Sequence, residues 1–476
     1  MLQKKLFIGG EWQEPEKTQA LLSPYDGEKL ADIPLATEEE ADRAIAAAYH
    51  ARKEMRRLPA HQRAEILYNV SRLIEENREE AARLIAMEAA KPLQTARTEV
   101  ARSIMTYKFA SEEARRLPSE MINMDAAPGG EGRIAYAVRE PAGVAAAITP
   151  FNFPMNLVAH KLGPAVASGN PVVLKPASQT PLSAFFVAEQ FEKAGLPKGA
   201  LNVITGKGSV IGDKLVTDDR ISVVTFTGSP EVGIGLKNKA GLKKMTLELG
   251  SNSAVIIDKG TDINAIADRL VLGAFAYQGQ VCISLQRIYA HESIKDEVIR
   301  AMKEKAGSLV YGHPLDEATD VSALISEDDC DRIMEWIGEA ESKGASIHLG
   351  GERKGNIVTP TILSDVSHDA SVSCREVFGP VVHVNGFTDW QEAVDLVNDS
   401  DFGLQAGVFT NDMNKAFHAS EQIEAGGVLI NDIPTFRVDH MPYGGVKNSG
   451  YGREGIKYAI SEMTEMKLVS FRKGEY

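Results

Sequence analysis

Val144-Ala145-Ala146-Ala147-Ile148, Val172-Val173-Leu174, Leu201-Asn202-Val203-Ile204-Thr205, Val223-Val224-Thr225-Phe226-Thr227, Met245-Thr246-Leu247-Glu248-Leu249 and Ala254-Val255-Ile256-Ile257 are short apolar runs alternating with helix-length segments. Strands separated by helices over such a distance specify a parallel, doubly wound α/β sheet. Upstream, from Glu38 to about Leu117, apolar residues recur at helical spacing, as in Ala41, Ile45 and Ala48 and again in Ile66, Leu67, Val70, Leu73 and Ile74. These read as covering helices. Downstream the alternation restarts near Asp262, with strands expected at Arg287–Ala290, Val381–Val384, Gly407–Thr410 and Val428–Asn431, which makes a second α/β unit. Arg133–Val138 and Lys467–Phe471 fit neither unit. Isolated strands are marginal, so these two should pair with each other or with a neighbouring subunit.

The chain of 476 residues is long enough for two or three domains, and its 43% apolar and 25% charged content is that of an ordinary globular protein. The start, Met1 to Ile8, is basic but runs at once into Gly9-Gly10-Glu11-Trp12, without the apolar stretch of a signal peptide, and no run of residues reads as a membrane span. Three cysteines at 282, 330 and 374 have no metal-ligand spacing and make no disulfide framework, so a cytoplasmic, reducing location and no metal are expected. A formal charge of −14 argues against nucleic acid as a partner.

Several constellations carry chemistry. Thr225-Phe226-Thr227-Gly228-Ser229-Pro230-Glu231-Val232-Gly233 runs from a strand through Gly-Ser into a helix, so backbone N–H groups there could face a pyrophosphate; Gly206-Lys207-Gly208 is a second Gly-rich turn after a strand. Either could equally be a plain tight turn. Cys282, in Gly279-Gln280-Val281-Cys282-Ile283, lies between a helix and a strand, where a thiolate is reachable; a lone Cys can also be an inert hydrophobe. Glu248 ends an apolar strand, where burial would raise its pKa towards that of a general base, unless it sits in solvent. Asn152, in Thr149-Pro150-Phe151-Asn152-Phe153-Pro154, is fixed between two prolines and two aromatics, which suits an amide donor aimed at an oxyanion.

In this order, and together with Leu174-Lys175-Pro176, Glu248-Leu249-Gly250, Glu376-Val377-Phe378-Gly379-Pro380, Asn398 with Phe402-Gly403-Leu404, Pro442-Tyr443-Gly444-Gly445-Val446-Lys447 and Ser449-Gly450-Tyr451-Gly452-Arg453-Glu454-Gly455, these segments resemble the aldehyde dehydrogenase superfamily from Leu6 to Phe471. The resemblance implies a Rossmann-type cofactor domain at 1–118 and 142–250, a catalytic α/β domain at 251–464, and a small β oligomerisation arm at 119–141 and 465–476, in a homodimer or homotetramer. It implies NAD(P)-dependent oxidation of an aldehyde to its acid, with Cys282 as nucleophile, Asn152 and the Cys282 N–H as oxyanion hole, and Glu248 as the base for deacylation. It further implies that NAD or NADP meets Thr149, Pro150, Phe151, Lys175, Ser178, Gly208, Gly228, Ser229, Gly233, Leu249, Glu376 and Phe378.

Asn152 through Lys161, and Asn431-Asp432 through Phe436-Arg437 to Met441-Pro442, look most like lactaldehyde dehydrogenases and relatives for short hydroxyaldehydes, semialdehydes, phosphonoacetaldehyde or sulfolactaldehyde. Arg102, Asn156, His160, Phe436 and Arg437 are the substrate candidates by that likeness. Arg102 and His160 could instead pair with acids such as Glu99 or cap backbone. Ser178 stands where many NAD-preferring members carry Glu, Ser251 where Gly is usual, Arg375 where an acid is common, and Val281 where members for phosphorylated substrates place Arg. A CoA-acylating semialdehyde dehydrogenase is the second enzymatic reading, disfavoured by Glu248. A non-catalytic binding or structural protein on this scaffold is disfavoured by the joint presence of Cys282, Asn152 and Glu248.

Overall fold

The computed structural model describes residues 2–474; Met1, Glu475 and Tyr476, the outermost positions of the segments assigned to the cofactor domain and the arm, lie outside the described residues. Five of the expected strands form the parallel centre of an eight-stranded sheet, in the spatial order Lys244–Glu248, Ile221–Thr227, Val144–Ile148, Val172–Lys175, Leu201–Val203. Alternate residues feed opposite cores. Ala145, Ala147, Val172, Leu174 and Val223 pack under the helices Ala60–Glu76, Leu93–Ala114 and Asn156–Ser168, whereas Val144, Ala146, Ile148, Val173 and Val224 pack beneath Glu38–Arg57. This period of two, buried on both faces, is what a doubly covered parallel sheet requires.

Strand order reverses between Val144–Ile148 and Ile221–Thr227: the chain first builds outward through Val172–Lys175 to Leu201–Val203, then crosses back. Loops leaving the carboxyl ends of those two strands therefore diverge and open a crevice, the general ligand position of open α/β sheets. Thr149–Asn152 and Gly228-Ser229 are those loops.

Ala254–Ile257 starts a second sheet of seven strands, six of them parallel, which includes Arg287–His291, Val381–Phe387, Gln405–Phe409 and Gly427–Ile430 as expected, and adds Thr361–Ser364 and the antiparallel Ser346–Leu349. Arg133–Pro141 and Thr464–Arg472 pair antiparallel over nine residue pairs, with Ser119–Ile122 on the far side, forming the arm. Gly450–Tyr451 returns to the first sheet beside Lys244–Glu248, and the helix Ile456–Glu462 packs on Asn156–Ser168, so the end of the segment expected in the catalytic unit contacts the cofactor unit. The short strands Leu6–Ile8 and Glu11–Gln13, which extend the first sheet, are too brief to leave a periodic signal in the sequence.

Candidate active site

Cys282 sits on a turn that the surrounding backbone holds in an uncommon shape. Tyr277, Gln278 and Gly279 all have positive φ, of 49°, 53° and 69°. At Gly279 a Cβ would lie 2.1 Å from the carbonyl oxygen of Gly379, so the position has room only for glycine. Side-chain bonds pin the turn. Tyr277 Oη donates to the Ala89 carbonyl at 3.0 Å, and Gln278 Nε2 donates to the carbonyls of Ala90 and Ala323 at 3.1 and 2.9 Å. The result is a half-buried Cys282 whose Sγ lies 3.0 Å from Tyr443 Oη. Burial pushes the thiol up to about 11, against the hydrogen bond from Tyr443 and the charge of Arg437, which pull it down.

Asn152 is buried, and its amide donates one N–H to the carbonyl of Gln280, two residues before the cysteine, at 3.0 Å. That bond ties the Thr149–Pro154 turn to the Cys282 turn, and the second N–H of the amide has no acceptor among the described residues. A pair that sequence reasoning passed over holds the turn from below. Lys91 donates to the Asn152 carbonyl at 2.6 Å and to Glu99, and its ammonium lies 3.9 and 4.3 Å from the ring centres of Phe153 and Tyr277. Glu99 in turn accepts from the N–H groups of Met155 and Asn156, at 2.9 and 3.1 Å, at the start of the helix Asn156–Ser168. Glu99 therefore serves the Asn152 turn and is not the partner of Arg102.

Glu248 is buried at the end of its strand, and neither carboxylate oxygen has a hydrogen-bond partner among the described residues. Burial first, and the neighbouring Glu454 second, push its pKa well above the usual carboxylate range, while Arg437, Lys161 and Arg453 pull it down. The solvent-exposed alternative is excluded by this burial. Glu454 is itself held ionised by Lys161 at 3.2 Å and Arg437 at 3.0 Å, and Lys161 also donates to Thr225 and Thr227 at 3.0 and 2.8 Å. Both charged partners lie in stretches quoted from the sequence, yet their pairing joins positions far apart in the chain and has no local signature.

Cys282 opens on a cavity of about 310 Å³ whose walls include Arg102, Phe153, Asn156, Val281, Arg437 and Tyr443. Arg102 uses Nη2 and Nε on Asp439 at 2.7 and 3.3 Å, and Asp439 also accepts from Asn156 at 3.0 Å and faces His160 Nε2 at 2.9 Å. Asp439 had no sequence signal and proves to be the anchor of three of the five substrate candidates. His160 does not line the cavity: it is fully buried behind Arg437, 3.3 Å from Nη2, and burial together with that positive charge lowers its pKa. Phe436 is also absent from the lining; it is substantially exposed, and its carbonyl accepts from Gln405 at 3.1 Å. Arg437 stacks on the ring of Tyr443, 3.6 Å from its centre, and keeps a buried Nε without a partner.

At the crevice of the first sheet, Gly228 and Ser229 precede the helix Pro230–Lys239, whose first N–H groups receive no side-chain cap. A Cβ on Gly233 would lie 2.4 Å from Leu249, so the helix approaches the Glu248-Leu249 strand end as closely as glycine allows. Among the described residues the buried Thr149 hydroxyl has no partner, and Lys175, pushed down to about 8 by burial, reaches only the Pro176 carbonyl, at 3.3 Å. Ser178 donates to the Gly206 carbonyl at 3.3 Å, which brings the Gly208 turn beside it. Across the crevice Glu376 accepts from the Ser251 N–H at 2.8 Å, so serine at 251 keeps a backbone donor in place. Phe151 and Phe378 meet edge to face at 5.7 Å. Unpaired helix N–H groups, an orphaned hydroxyl and a buried amine in one crevice fit the phosphates and riboses of a dinucleotide.

A half-buried cysteine and a buried carboxylate beside a dinucleotide crevice fit a dehydrogenase. The aldehyde dehydrogenase family matches residues 12–469, and the chain belongs to that family: it is an oxidoreductase that acts on small aldehydes with NAD or NADP. It is 46% identical over 464 residues to a 3-sulfolactaldehyde dehydrogenase of Priestia aryabhattai, covering 98% of this chain and 97% of that protein. It is 41% identical over 468 residues to a lactaldehyde dehydrogenase of Methanococcus aeolicus, covering 98% of this chain and 99% of that one. These relatives are of the subgroup that the motifs of the sequence resemble. A glyceraldehyde-3-phosphate dehydrogenase of Methanocaldococcus jannaschii, solved with NADP, superimposes with a TM-score of 0.93 at 40% identity, over 96% of this chain and 100% of that one. No helix among the described residues is long and apolar enough to cross a membrane.

Proposed function

We propose that the enzyme oxidises a short, polar aldehyde bearing a hydroxyl, a carboxylate or a sulfonate, of the lactaldehyde, sulfolactaldehyde or semialdehyde kind, and that water takes the acyl group from a thioester on Cys282. One observation carries the substrate class: Cys282 shares its cavity with Arg102 and Arg437, and each arginine keeps N–H groups that no protein carboxylate takes. Leaving such donors unpaired costs about 1–3 kcal/mol each, which a substrate anion recovers. The sulfonate of the one relative's substrate is such an anion, and the hydroxyl of the other's is a neutral acceptor for the same donors. Val281 places an apolar wall beside the cysteine, which favours a singly charged end over a phosphate dianion.

In this reading Cys282 Sγ adds to the aldehyde carbon, and the resulting oxyanion is met by the free N–H of Asn152 and by the Cys282 backbone N–H, which finds no acceptor among the described residues. Lys175, Ser178, Gly228, Ser229, Gly233, Glu376 and Phe378 would hold NAD or NADP, with Thr149, Pro150, Phe151, Gly208 and Leu249 around them. When bound, the nicotinamide supplies the hydride acceptor. Glu248 then takes a proton from the water that attacks the thioester carbon, and the Cys282 thiolate leaves as the acid product forms. A hydrolytic end is favoured over acyl transfer to a thiol by the buried, unpartnered Glu248.

The domain limits given above, a reducing cytoplasmic location and a homo-oligomer belong to the same proposal. Support for the last is the arm strand Thr464–Arg472, an edge strand with Met466, Leu468 and Phe471 exposed, which a second copy would cover. An aldehyde panel followed by cofactor reduction tests the substrate class. Sulfolactaldehyde, lactaldehyde, glycolaldehyde or succinate semialdehyde should exceed hexanal and benzaldehyde in kcat/KM by at least about tenfold, or roughly 1.4 kcal/mol. A preference for hexanal or benzaldehyde would overturn it.

A further inference from the structure

Tyr443, in the Pro442-Tyr443-Gly444-Gly445 turn, stands beside Cys282 and has no part in the steps that add, oxidise or hydrolyse. It is buried, it lines the cavity, and its hydroxyl has a single partner among the described residues, the Sγ of Cys282 at 3.0 Å. The ring that carries the hydroxyl is fixed from two directions. Its backbone makes a reciprocal pair with Glu454, at 3.1 and 2.7 Å, and the Arg437 guanidinium lies 3.6 Å from the ring centre, itself held by Glu454. A cation on the face of a phenol withdraws electron density and makes its O–H a stronger donor.

We propose that Tyr443 is a positioning residue for the nucleophile: its O–H donates to the Cys282 sulfur, aims it into the cavity, and favours the thiolate over the thiol. This rests on the reading of Cys282 as nucleophile. The need is physical. A half-buried sulfur with the carboxylates Glu248 and Glu376 around it is disfavoured as an anion, and the charge of Arg437 and the hydrogen bond of Tyr443 are what oppose this. Arg437 acts through its charge and makes no hydrogen bond to the sulfur, so the phenol is the one donor in contact with the sulfur among the described residues. A hydrogen bond to an anion is about twice as strong as one to a neutral group, so the phenol gains most when the proton has left the sulfur.

The test is Tyr443→Phe, which keeps the ring and the stack and removes only the oxygen. Alkylation of Cys282 by iodoacetamide, read on the Cys282 peptide by mass spectrometry from pH 8 to 12 without cofactor, reports the thiolate fraction across the parent's midpoint. The midpoint should rise by about one pH unit in the variant, so that alkylation below the midpoint slows about tenfold. The KM for NAD(P) should stay within about twofold while the pre-steady-state acylation rate falls. An unchanged pH profile overturns the proposal. So does a tenfold fall that fails to narrow between pH 11 and 12, above the parent's midpoint, which would mean that Tyr443 governs only access. A thermal midpoint equal to that of the parent, measured alongside, excludes misfolding as the cause. The nucleophile assignment is read separately: complete alkylation of Cys282 should abolish turnover in both proteins, and survival of turnover would remove the premise rather than the role of Tyr443.

Discussion

Replacing Arg102 by Met would show whether the cavity recognises an anion. The guanidinium spends Nη2 and Nε on Asp439 and leaves Nη1 for a ligand, and the side chain is 25% exposed. A charge-assisted hydrogen bond is worth about 1.5–3 kcal/mol, and partial solvent screening places this one in the lower half, about 1.5–2 kcal/mol, or a 10- to 30-fold change. Asp439 keeps Asn156 and His160 as partners, so the fold should lose only about 1 kcal/mol. Succinate semialdehyde and butanal have the same four-carbon chain with and without a carboxylate. Their kcat/KM ratio, followed through the reduced cofactor, isolates the charge. In Arg102→Met the value for succinate semialdehyde should fall 10- to 30-fold while that for butanal stays within about threefold. An equal fall for both substrates would assign Arg102 to holding the helix Leu93–Ala114 against Asp439, and no change in either would remove it from the site.

Glu248→Gln should leave a rapid burst of reduced cofactor followed by slow turnover, because only the water step needs the base; loss of the burst would assign Glu248 to thiol activation instead. Since burial and Glu454 hold the Glu248 carboxyl protonated above the usual carboxylate range, deacylation in the parent should rise with pH until Glu248 ionises, and that limb should vanish in the variant. Ser178→Glu should selectively raise the KM for NADP: like charges 4 Å apart repel by about 4 kcal/mol at an effective dielectric of 20, and even a screened fraction is worth at least about tenfold. Equal effects on NAD and NADP would show that Ser178 does not face the 2′ position.

What could be read without coordinates was local or tightly patterned. The central parallel strands of the first sheet and five of the second were found because apolar runs between helices are a short-range signal, and they were placed within about three residues of their limits, whereas Thr361–Ser364, Ser346–Leu349, Leu6–Ile8 and Glu11–Gln13 were missed. Cys282, Asn152, Glu248 and the Gly228-Ser229 turn could be picked out because proline, glycine, and a lone thiol or carboxylate in an apolar run change backbone or pKa behaviour wherever they stand. Of the five substrate candidates named by likeness to the family, Arg102, Asn156 and Arg437 line the cavity, whereas His160 and Phe436 do not. A helix turn carries His160 one layer behind the wall, against Asp439 and Arg437. The order of the strands, and hence which two loops form the crevice, followed from the fold alone.

The sequence by itself determined the doubly wound class and the family, and singled out Cys282, Glu248 and Asn152, since each depends on residue type and spacing within a short window. Tertiary structure decided which charges meet. Asp439 gathers Arg102, Asn156 and His160, Glu454 joins Lys161 to Arg437, Lys91 and Glu99 brace the Asn152 turn, and Tyr443 touches the nucleophile. A buried charge must find a partner wherever the fold brings one, and these partners lie up to 337 positions apart in the chain. No periodicity encodes such a pairing; it exists only when two sheets, packed by non-directional apolar burial, carry the residues to the same place.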